Sequence, residues 1–327
     1  MPKCEWLPLY ICSNKDVDLF EYMLDNPDYT CFELDPESLP IENDKAYEDL
    51  KRVREKGKTA FVRLDYLIFE ENDRPYHCPK KANWREMLDK INERFCEVGG
   101  DAFIGYYFDE PFYYMTGDEY LELTKYLSKF NKRIFAIHGS VHIHQALWPV
   151  NESHDFQAIA FRNMSTITPQ NHAYTTDVSY DYYGEWEHGV HHNTVYRLFI
   201  EKMGDRFENT NFWFCPPVGY VMTEEWNKKT SDEVEQICID VFMGMWNWSK
   251  KIKNFGGFAI YTYLKTVTSD GKIHAAAKDF ILPDKNGQVK WKKMNAIANA
   301  VIDGFNKGLH PAQIDLPEIE YDKGYII

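Results

Sequence analysis

The sequence lacks the patterns that mark several large classes of protein. It contains no run of about 20 apolar residues, the length that a membrane-spanning helix requires. Its seven cysteines are an odd number, and none stands in a CxxC pair, so neither a disulfide framework nor a thiolate metal site is indicated. No glycine-rich phosphate loop follows the first predicted strand. We therefore predict no cofactor, no metal and no membrane partner.

Positive charge is also scarce. The chain has 37 lysines and arginines against 51 aspartates and glutamates, which gives a formal net charge of −14 at pH 7. The electrostatic field of a protein with this net charge repels phosphate backbones and anionic lipid surfaces. Nucleic acid is therefore not an expected partner, and the sequence leaves the oligomeric state open.

The first residues, MPKCEWLPLYICSNKD, do not read as a signal peptide. They offer one early lysine and an apolar run that is too short and too interrupted. We expect a cytoplasmic protein, or a secreted one if a leader peptide has been removed.

Length and periodicity point to one large α/β domain of 327 residues. Barrels of this class commonly reach about 250 residues or more as one unit. Eight predicted strands are Leu7–Cys12, Tyr29–Leu34, Lys58–Asp65, Ala102–Phe108, Lys132–His138, Ala173–Tyr180 (or instead Phe156–Phe161), Asn211–Cys215 and Gly256–Tyr263. Predicted helices between and after them are Asp16–Leu24, Asp44–Lys56, Asn83–Val98, Glu119–Phe130, Val190–Met203, Asp232–Lys251 and Lys293–Asn306.

Strict alternation of these elements favours a (β/α)8 TIM barrel over a doubly wound sheet. We predict a single catalytic barrel over residues 1–308, with long loops at its C-terminal face, and an extended tail over 309–327. Residues 139–172 show no clean period and are predicted to form one of the long loops.

The stretch DAFIGYYFDEP, Asp101–Pro111, is the strongest candidate for chemistry. A predicted apolar, aromatic strand ends at two adjacent carboxylates, Asp109 and Glu110, and Pro111 prevents its continuation. Capping of the next helix does not account for the acids, because Thr116 and Glu119 have the spacing of a capping box. In a barrel, carboxylates at this strand end face the substrate.

The other predicted strand ends place further acidic and aromatic side chains at the same C-terminal face of the predicted barrel. Hydrolysis of a glycosidic bond needs a protonated carboxyl, a second stabilising group and rings that stack on sugar. Besides the catalytic pair, the predicted substrate-binding residues are Asp65, Tyr107, His138, Tyr180, Asp181, Trp213, Tyr261 and Tyr263, with Glu33 nearby.

Adjacency of the two acids narrows the mechanism. Conventional retaining and inverting enzymes place their carboxyls about 5–10 Å apart across the bond. Neighbours in sequence suit another division of labour: Glu110 protonates the leaving group, while Asp109 orients the substrate's own 2-acetamido group, which acts as the nucleophile. Aromatic neighbours of Glu110 would favour its protonated form.

Two motifs resemble those of known glycosidases. The stretch DVSYDYYGEW, Asp177–Trp186, resembles the Tyr-Asp motif of glycoside hydrolase family eighteen, which implies acetamido contacts for Tyr180 and Asp181 and places Tyr263 where such enzymes often have a tryptophan. The fourth strand departs from that family, since Gly105 and Tyr107 stand in place of its spaced aspartates.

The pair Asp109-Glu110 instead resembles the adjacent Asp-Glu of the family-twenty β-hexosaminidases and related β-N-acetylgalactosaminidases, some of which carry Asp-Glu-Pro. The resemblance covers two strand ends and the barrel pattern. It implies cleavage of a β-linked N-acetylhexosamine in an oligo- or polysaccharide.

Two alternatives remain open at the level of sequence. One is a two-carboxylate retaining glycosidase, similar to the large clan with Asn-Glu-Pro on strand four, in which Glu110 is the acid/base and Asp181 or Asp65 the nucleophile. The other is a non-catalytic carbohydrate-binding barrel. A metal hydrolase is disfavoured because Cys12-Ser13-Asn14 stands where such barrels carry HxH, and His138 is kept only as a sugar-hydroxyl partner.

Overall fold

The computed structural model describes residues 12–13, 17–36, 45–69, 80–139, 143, 146, 166–181, 196–215, 229–259 and 278–322. Several predictions lie outside these residues: Tyr261, Tyr263, the competing strand Phe156–Phe161 and most of the strand Leu7–Cys12.

One parallel sheet organises the chain. Its strands are β1 Cys12–Ser13, β2 Cys31–Leu34, β3 Thr59–Arg63, β4 Phe103–Asp109, β5 Arg133–Gly139, β6 Asp177–Asp181, β7 Asn211–Phe214 and β8 Phe255–Phe258. Each strand pairs in parallel with the next one along the chain, from β1 to β8. A doubly wound sheet would reverse its strand order at a switch point. The observed order, with helices between strands, fits an α/β barrel.

Helices occupy the connections. They are α1 Val17–Asp25, α2 Lys45–Glu55, α3 Asp65–Ile68, α4 Trp84–Gly99, α5 Gly117–Ser128, α6 196–203, α7 Ser231–Ser249, α8 Lys278–Ile281 and α9 Lys292–Asn306. Helices α1, α2, α4, α5, α7 and α9 lie within about two residues of their predicted bounds, the usual uncertainty at helix ends. None of these helices is long and apolar enough to cross a bilayer, among the residues that are described.

Where strands differ from their predicted bounds, three of them show the reason locally. β6 begins at Asp177 rather than Ala173, because the residues before it form a turn in which Thr175 N–H donates to the carbonyl of His172. β3 ends at Arg63, since Asp65 already begins helix α3. β8 runs Phe255–Phe258, and Ala259 has left the strand.

Aromatic side chains fill the inner face of the sheet. Phe135 lies at their centre, with its ring centroid 5.6 Å from that of Phe61, 5.7 Å from that of Tyr107 and 4.9 Å from that of Trp213. Neighbouring positions on the strands face the helices instead; Phe108, for example, contacts Tyr120 of α5 edge to face. This alternation is what a barrel strand requires.

A buried ion pair lies where β5 and β6 begin. The Nε of Arg133 donates to Asp177 Oδ2 over 3.0 Å, and the Trp213 indole N–H donates to Asp177 Oδ1 over 2.8 Å. Asn211 Nδ2 reaches the same carboxylate at 3.2 Å. Since the Asp177 side chain is fully buried, these partners supply the hydrogen bonds that a buried charge needs.

The predicted capping box at the start of α5 is confirmed. The Thr116 hydroxyl accepts a hydrogen bond from the Glu119 N–H at 3.2 Å, and Glu119 Oε2 accepts one from the Thr116 N–H at 2.7 Å. Gly100, with φ +53°, ends α4 and donates its N–H to the Cys96 carbonyl. The capping box therefore begins α5, and a glycine in the left-handed region ends α4.

The chain after α9 runs back along α7. Asn247 Nδ2 donates to the Tyr321 hydroxyl at 3.2 Å, and the Asp322 N–H donates to Asp240 Oδ1 at 2.8 Å. Ile314 is buried against Gly304 of α9. The division into a barrel over 1–308 and a tail over 309–327 stays a prediction.

Candidate active site

The backbone at Glu110 is strained. Asp109 is the last residue of β4, and Glu110 follows in the left-handed region with φ 51° and ψ 55°. For a residue with a side chain, this conformation costs roughly 1–2 kcal/mol. Two hydrogen bonds hold it: the Glu110 N–H donates to the Ile137 carbonyl at 2.7 Å, and the Glu110 carbonyl accepts from the Tyr113 N–H at 3.0 Å. Such outliers concentrate at functional sites.

Gly139 supports this turn from the end of β5. A Cβ placed on Gly139 would lie 2.9 Å from Glu110 Oε1 and 3.1 Å from both the hydroxyl oxygen and the Cε2 of Tyr113. The Glu110 carboxyl and the Tyr113 ring therefore lie directly over the backbone of Gly139. A larger residue at this position would displace them.

Arg63, at the end of β3, joins carboxylates at the ends of three strands. Its Nε donates to Asp65 Oδ2 over 2.7 Å, and its Nη2 donates to Asp109 Oδ2 over 2.7 Å. Asp35 Oδ1 lies 3.7 Å from the same Nε. We call Arg63, Asp35, Asp65 and Asp109 the arginine cluster. The Asp109 side chain is 18 % exposed, whereas that of Asp65 is fully buried.

Burial sets the electrostatics of the cluster. It raises the pKa of Asp65 to about 6, and Arg63 opposes that shift. Asp65 Oδ2 also accepts the Asp109 N–H at 3.1 Å, while Oδ1 is buried with no hydrogen-bond partner in the described part of the chain. Burial alone would lower the pKa of Arg63, but Asp65 and Asp109 outweigh it and hold that pKa above its usual value. Arg63 is therefore a permanent cation.

Tyr107 lies below the cluster on the inner face of β4. The guanidinium carbon of Arg63 is 5.8 Å from the centroid of the Tyr107 ring, and the tyrosine is buried. Asp65, Tyr107, Asp109 and Glu110 are thus brought together, as the sequence predicts for strand ends. Their catalytic and binding roles stay predictions.

His138 lies apart from this group. Its Nε2 is 2.8 Å from the Nε2 of His172, and its ring packs against Phe112 and against Tyr120 of α5. Burial lowers the pKa of His172 to about 3, so the pair includes a neutral imidazole. His138 is fully buried between the sheet and α5, a placement that favours packing over its predicted contact with a sugar hydroxyl.

Tyr180 and Trp213 are also buried away from Glu110 and the arginine cluster. Tyr180 packs on Tyr196 of α6 with ring centroids 4.2 Å apart, so it faces the helices. Trp213 points toward Asp177 at the opposite end of the sheet. The surroundings of both side chains favour structural roles over the predicted sugar contacts.

Asp181 is described by its backbone alone. It ends β6 and pairs in register with Gly139, the glycine beneath the Glu110 carboxyl. The predicted substrate contacts of Tyr261 and Tyr263 fall outside the described residues.

Sequence reasoning missed Arg63, Tyr113 and Gly139. A signal for Arg63 was present, because a lone arginine inside the apolar run KTAFVRLD must find anionic partners if the strand is buried. Nothing local marks Tyr113 or Gly139, which meet only when the turn after β4 folds over β5. No group of three metal-binding side chains occurs among the residues in view.

Comparisons with known proteins show the fold. No family model matches the chain, and no curated protein sequence matches it. Among solved structures, a Ruminococcus gnavus β-glucuronidase in complex with D-glucuronic acid is 10 % identical, with a TM-score of 0.52 over 92 % of this chain and 49 % of that one. A β-glucuronidase from an uncultured Clostridium species is 11 % identical, with a TM-score of 0.50 over 92 % and 50 %. The chain spans about half the length of these enzymes.

Proposed function

We propose that this chain is a glycoside hydrolase with Glu110 as its general acid/base, built on a closed (β/α)8 barrel. The observation that carries the proposal is the strained turn that holds Glu110 at the C-terminal end of β4, beside Asp109. Residues at that end of a barrel strand face the substrate. Similarity of fold to two β-glucuronidases supports the same class of reaction.

The surroundings of the two carboxyls suit different roles. Arg63 pairs with Asp109 and favours its ionised form. The Glu110 carboxyl lies instead over Gly139, beside the Tyr113 ring. A carboxyl that exchanges a proton next to one that stays ionised is the arrangement that acid catalysis of glycoside cleavage uses.

For the substrate, we propose a β-linked N-acetylhexosamine cleaved with participation of its acetamido group. Asp109 is partly exposed and is fixed in direction by Arg63, so its carboxylate can accept the acetamido N–H. In that mechanism the acetamido oxygen attacks the anomeric carbon while Glu110 protonates the leaving oxygen. Water then opens the cyclic intermediate, with Glu110 as the base.

Charge argues against a uronic acid as substrate, although the matched enzymes are β-glucuronidases. The described strand ends carry Glu33, Asp35, Asp65, Asp109 and Glu110, and Arg63 is already paired with two of them. A sugar carboxylate entering beside these acids would be repelled. We therefore propose a neutral acetamido sugar.

A two-carboxylate retaining mechanism is the second candidate. Register favours it, because Asp181 lies opposite Gly139 and so on the strand next to the Glu110 carboxyl. Asp65, the other predicted nucleophile, is fully buried and bonded to Arg63, which leaves it poorly placed to reach an anomeric carbon. In this mechanism Asp181 attacks and forms a glycosyl ester.

Aryl β-glycosides of N-acetylglucosamine, N-acetylgalactosamine, glucose, galactose and glucuronic acid test both candidates. We expect turnover only on acetamido sugars, inhibited by a thiazoline mimic of the cyclic intermediate. Glu110→Gln should lower kcat at least about 100-fold, the usual contribution of a general acid. Glu122→Gln, which alters an exposed ion pair of α5 with Lys80, is the matched control and should leave kcat unchanged.

Each other outcome would support a different mechanism or function. Cleavage of plain glucosides, lost in Asp181→Asn, would replace substrate assistance with the two-carboxylate mechanism. Full activity in Glu110→Gln would refute the assignment of the acid. Sugar binding measured by calorimetry without turnover on any glycoside or polysaccharide would leave a carbohydrate-binding barrel.

A further inference from the structure

We propose that Tyr113 is a positioning residue for Glu110: its hydroxyl lies beside the Glu110 carboxyl over Gly139, and a rotation of that carboxyl brings the two into a hydrogen bond that fixes its direction. The catalytic consequence rests on the proposed function, but the hydrogen bond itself does not.

Three observations bring the two side chains together. Oε1 of Glu110 and the hydroxyl oxygen of Tyr113 lie 2.9 Å and 3.1 Å from one point, the position of a Cβ on Gly139. The Tyr113 N–H donates to the Glu110 carbonyl at 3.0 Å, so both residues belong to one tight turn, Pro111–Tyr113 with Glu110 as its cap. Gly139 contributes no side chain that would separate them.

The turn also explains why a tyrosine at this position reaches back toward the strand end. Pro111 fixes the first residue of the 3-10 turn, and its carbonyl accepts the Tyr114 N–H at 3.0 Å. Its neighbour Phe112 is buried against His138. With Phe112 and Tyr114 both buried, Tyr113 is the half-buried ring of the turn and lies over Gly139.

Chemistry gives such a hydroxyl a definite effect. A donor to a carboxylate stabilises its ionised form and restricts its rotation. A general acid must point at the oxygen that it protonates, and small errors in direction reduce the rate. Tyr113 therefore affects both the pKa of the Glu110 carboxyl and the direction in which that carboxyl points.

Tyr113→Phe removes the hydroxyl and keeps the ring, so the turn should still fold. Carbon-13 NMR of the Glu110 carboxyl, assigned by its loss in Glu110→Gln, measures the effect without any need for activity. We expect the titration midpoint to rise by about one pH unit, the usual effect of losing one donor. With an active substrate, kcat should fall about tenfold and the alkaline limb of its pH profile should move upward in step.

Tyr126→Phe is the matched control. It removes a tyrosine hydroxyl that bonds to Asp89 on the outer side of α5. Its Glu110 midpoint and kcat should equal those of the wild type.

The outcomes separate this inference from the proposed function. A raised midpoint in Tyr113→Phe with no glycoside cleaved by the wild type would uphold the hydrogen bond and reject the enzyme. Activity in the wild type with an unchanged midpoint in Tyr113→Phe would reject the role of Tyr113 and leave the enzyme. An equal shift in both phenylalanine variants would also reject it.

Discussion

At the scale of single residues, Arg63 offsets the negative charge of the carboxylates at the ends of β2, β3 and β4. Replacing it with methionine leaves Asp65 buried without the cation to which it is bonded. Breaking one partner of a buried pair typically costs about 3–5 kcal/mol, so we expect Arg63→Met to lower the free energy of unfolding by this amount. Urea denaturation measures it.

Lys51→Met is the control for that substitution. Lys51 pairs with Glu55 at the surface, where both side chains are more than half exposed. Exposed pairs contribute about 0–1 kcal/mol. Similar losses in the two variants would show that Arg63 is not buried among charges as described.

Asp65 makes stability depend on pH. Its pKa of about 6 in the folded protein exceeds the usual value of an aspartate, so its contribution to stability is present below about pH 4 and is lost as the pH rises through 6. Relative to Asp65→Asn, the wild type should therefore lose unfolding free energy between pH 4 and 6. Urea denaturation of both proteins across this range tests the prediction. A wild type that gains unfolding free energy relative to Asp65→Asn as the pH rises would contradict the buried carboxyl.

Gly139 leaves room for the acid. A methyl group there would meet Oε1 of Glu110 at 2.9 Å, and that oxygen is at the far end of a flexible side chain that can move aside. We therefore expect Gly139→Ala to keep the melting temperature within about 2 °C, as for an ordinary surface change, and to lower kcat on an active glycoside at least about tenfold. Unchanged kcat would mean that the carboxyl need not lie over this glycine.

At the scale of elements, the cap of α5 is open to direct measurement. Thr116→Ala removes the hydroxyl that accepts the Glu119 N–H, which typically costs about 1 kcal/mol. Thr116→Ser keeps the acceptor and should restore most of the stability. Thermal or urea denaturation measures the stability of both variants. Equal losses of stability in the two would show that the threonine methyl group rather than the cap is responsible.

The helices that were predicted well have an apolar face with a helical period and a local end signal. In α4, buried Leu88, Ile91 and Phe95 recur at that spacing before Gly100 ends the helix. Helix α3 is four residues long and follows β3 directly, so it has no period to detect. Local pattern was therefore sufficient for long elements and insufficient for short ones.

The candidate site was predictable only as far as strand ends define it. Asp109 and Glu110 lie at the end of an aromatic strand and became candidates for that reason, while their roles stay predictions. His138 and Tyr180 also lie near strand ends, but the side that each faces depends on register, because a shift of one residue exchanges inside and outside. Tyr113 and Gly139 are neighbours only in three dimensions, so sequence alone gave no reason to join them.

At the scale of the whole molecule, the segment after α9 contributes to the stability of the barrel. Ile314 is 7 % exposed and fits against Gly304, where a Cβ would meet its side chain at 2.4 Å. Ile314→Ala should cost about 2–4 kcal/mol, as expected for truncation of a buried isoleucine. The half-buried Leu316→Ala should cost less, and a melting curve that does not distinguish the two would contradict this packing.

The strand order also bears on how the protein is made. Arg63, Asp65, Asp109, Glu110, Tyr113 and Gly139 all lie between residues 63 and 139, on three consecutive strands and the turns that follow them. Parallel neighbours that pair in chain order can form as synthesis proceeds, because each new strand closes only one short loop. A nascent chain that has just released β5 from the ribosome already holds every member of this arrangement, and the later strands are added to side chains that the first half of the chain has already supplied.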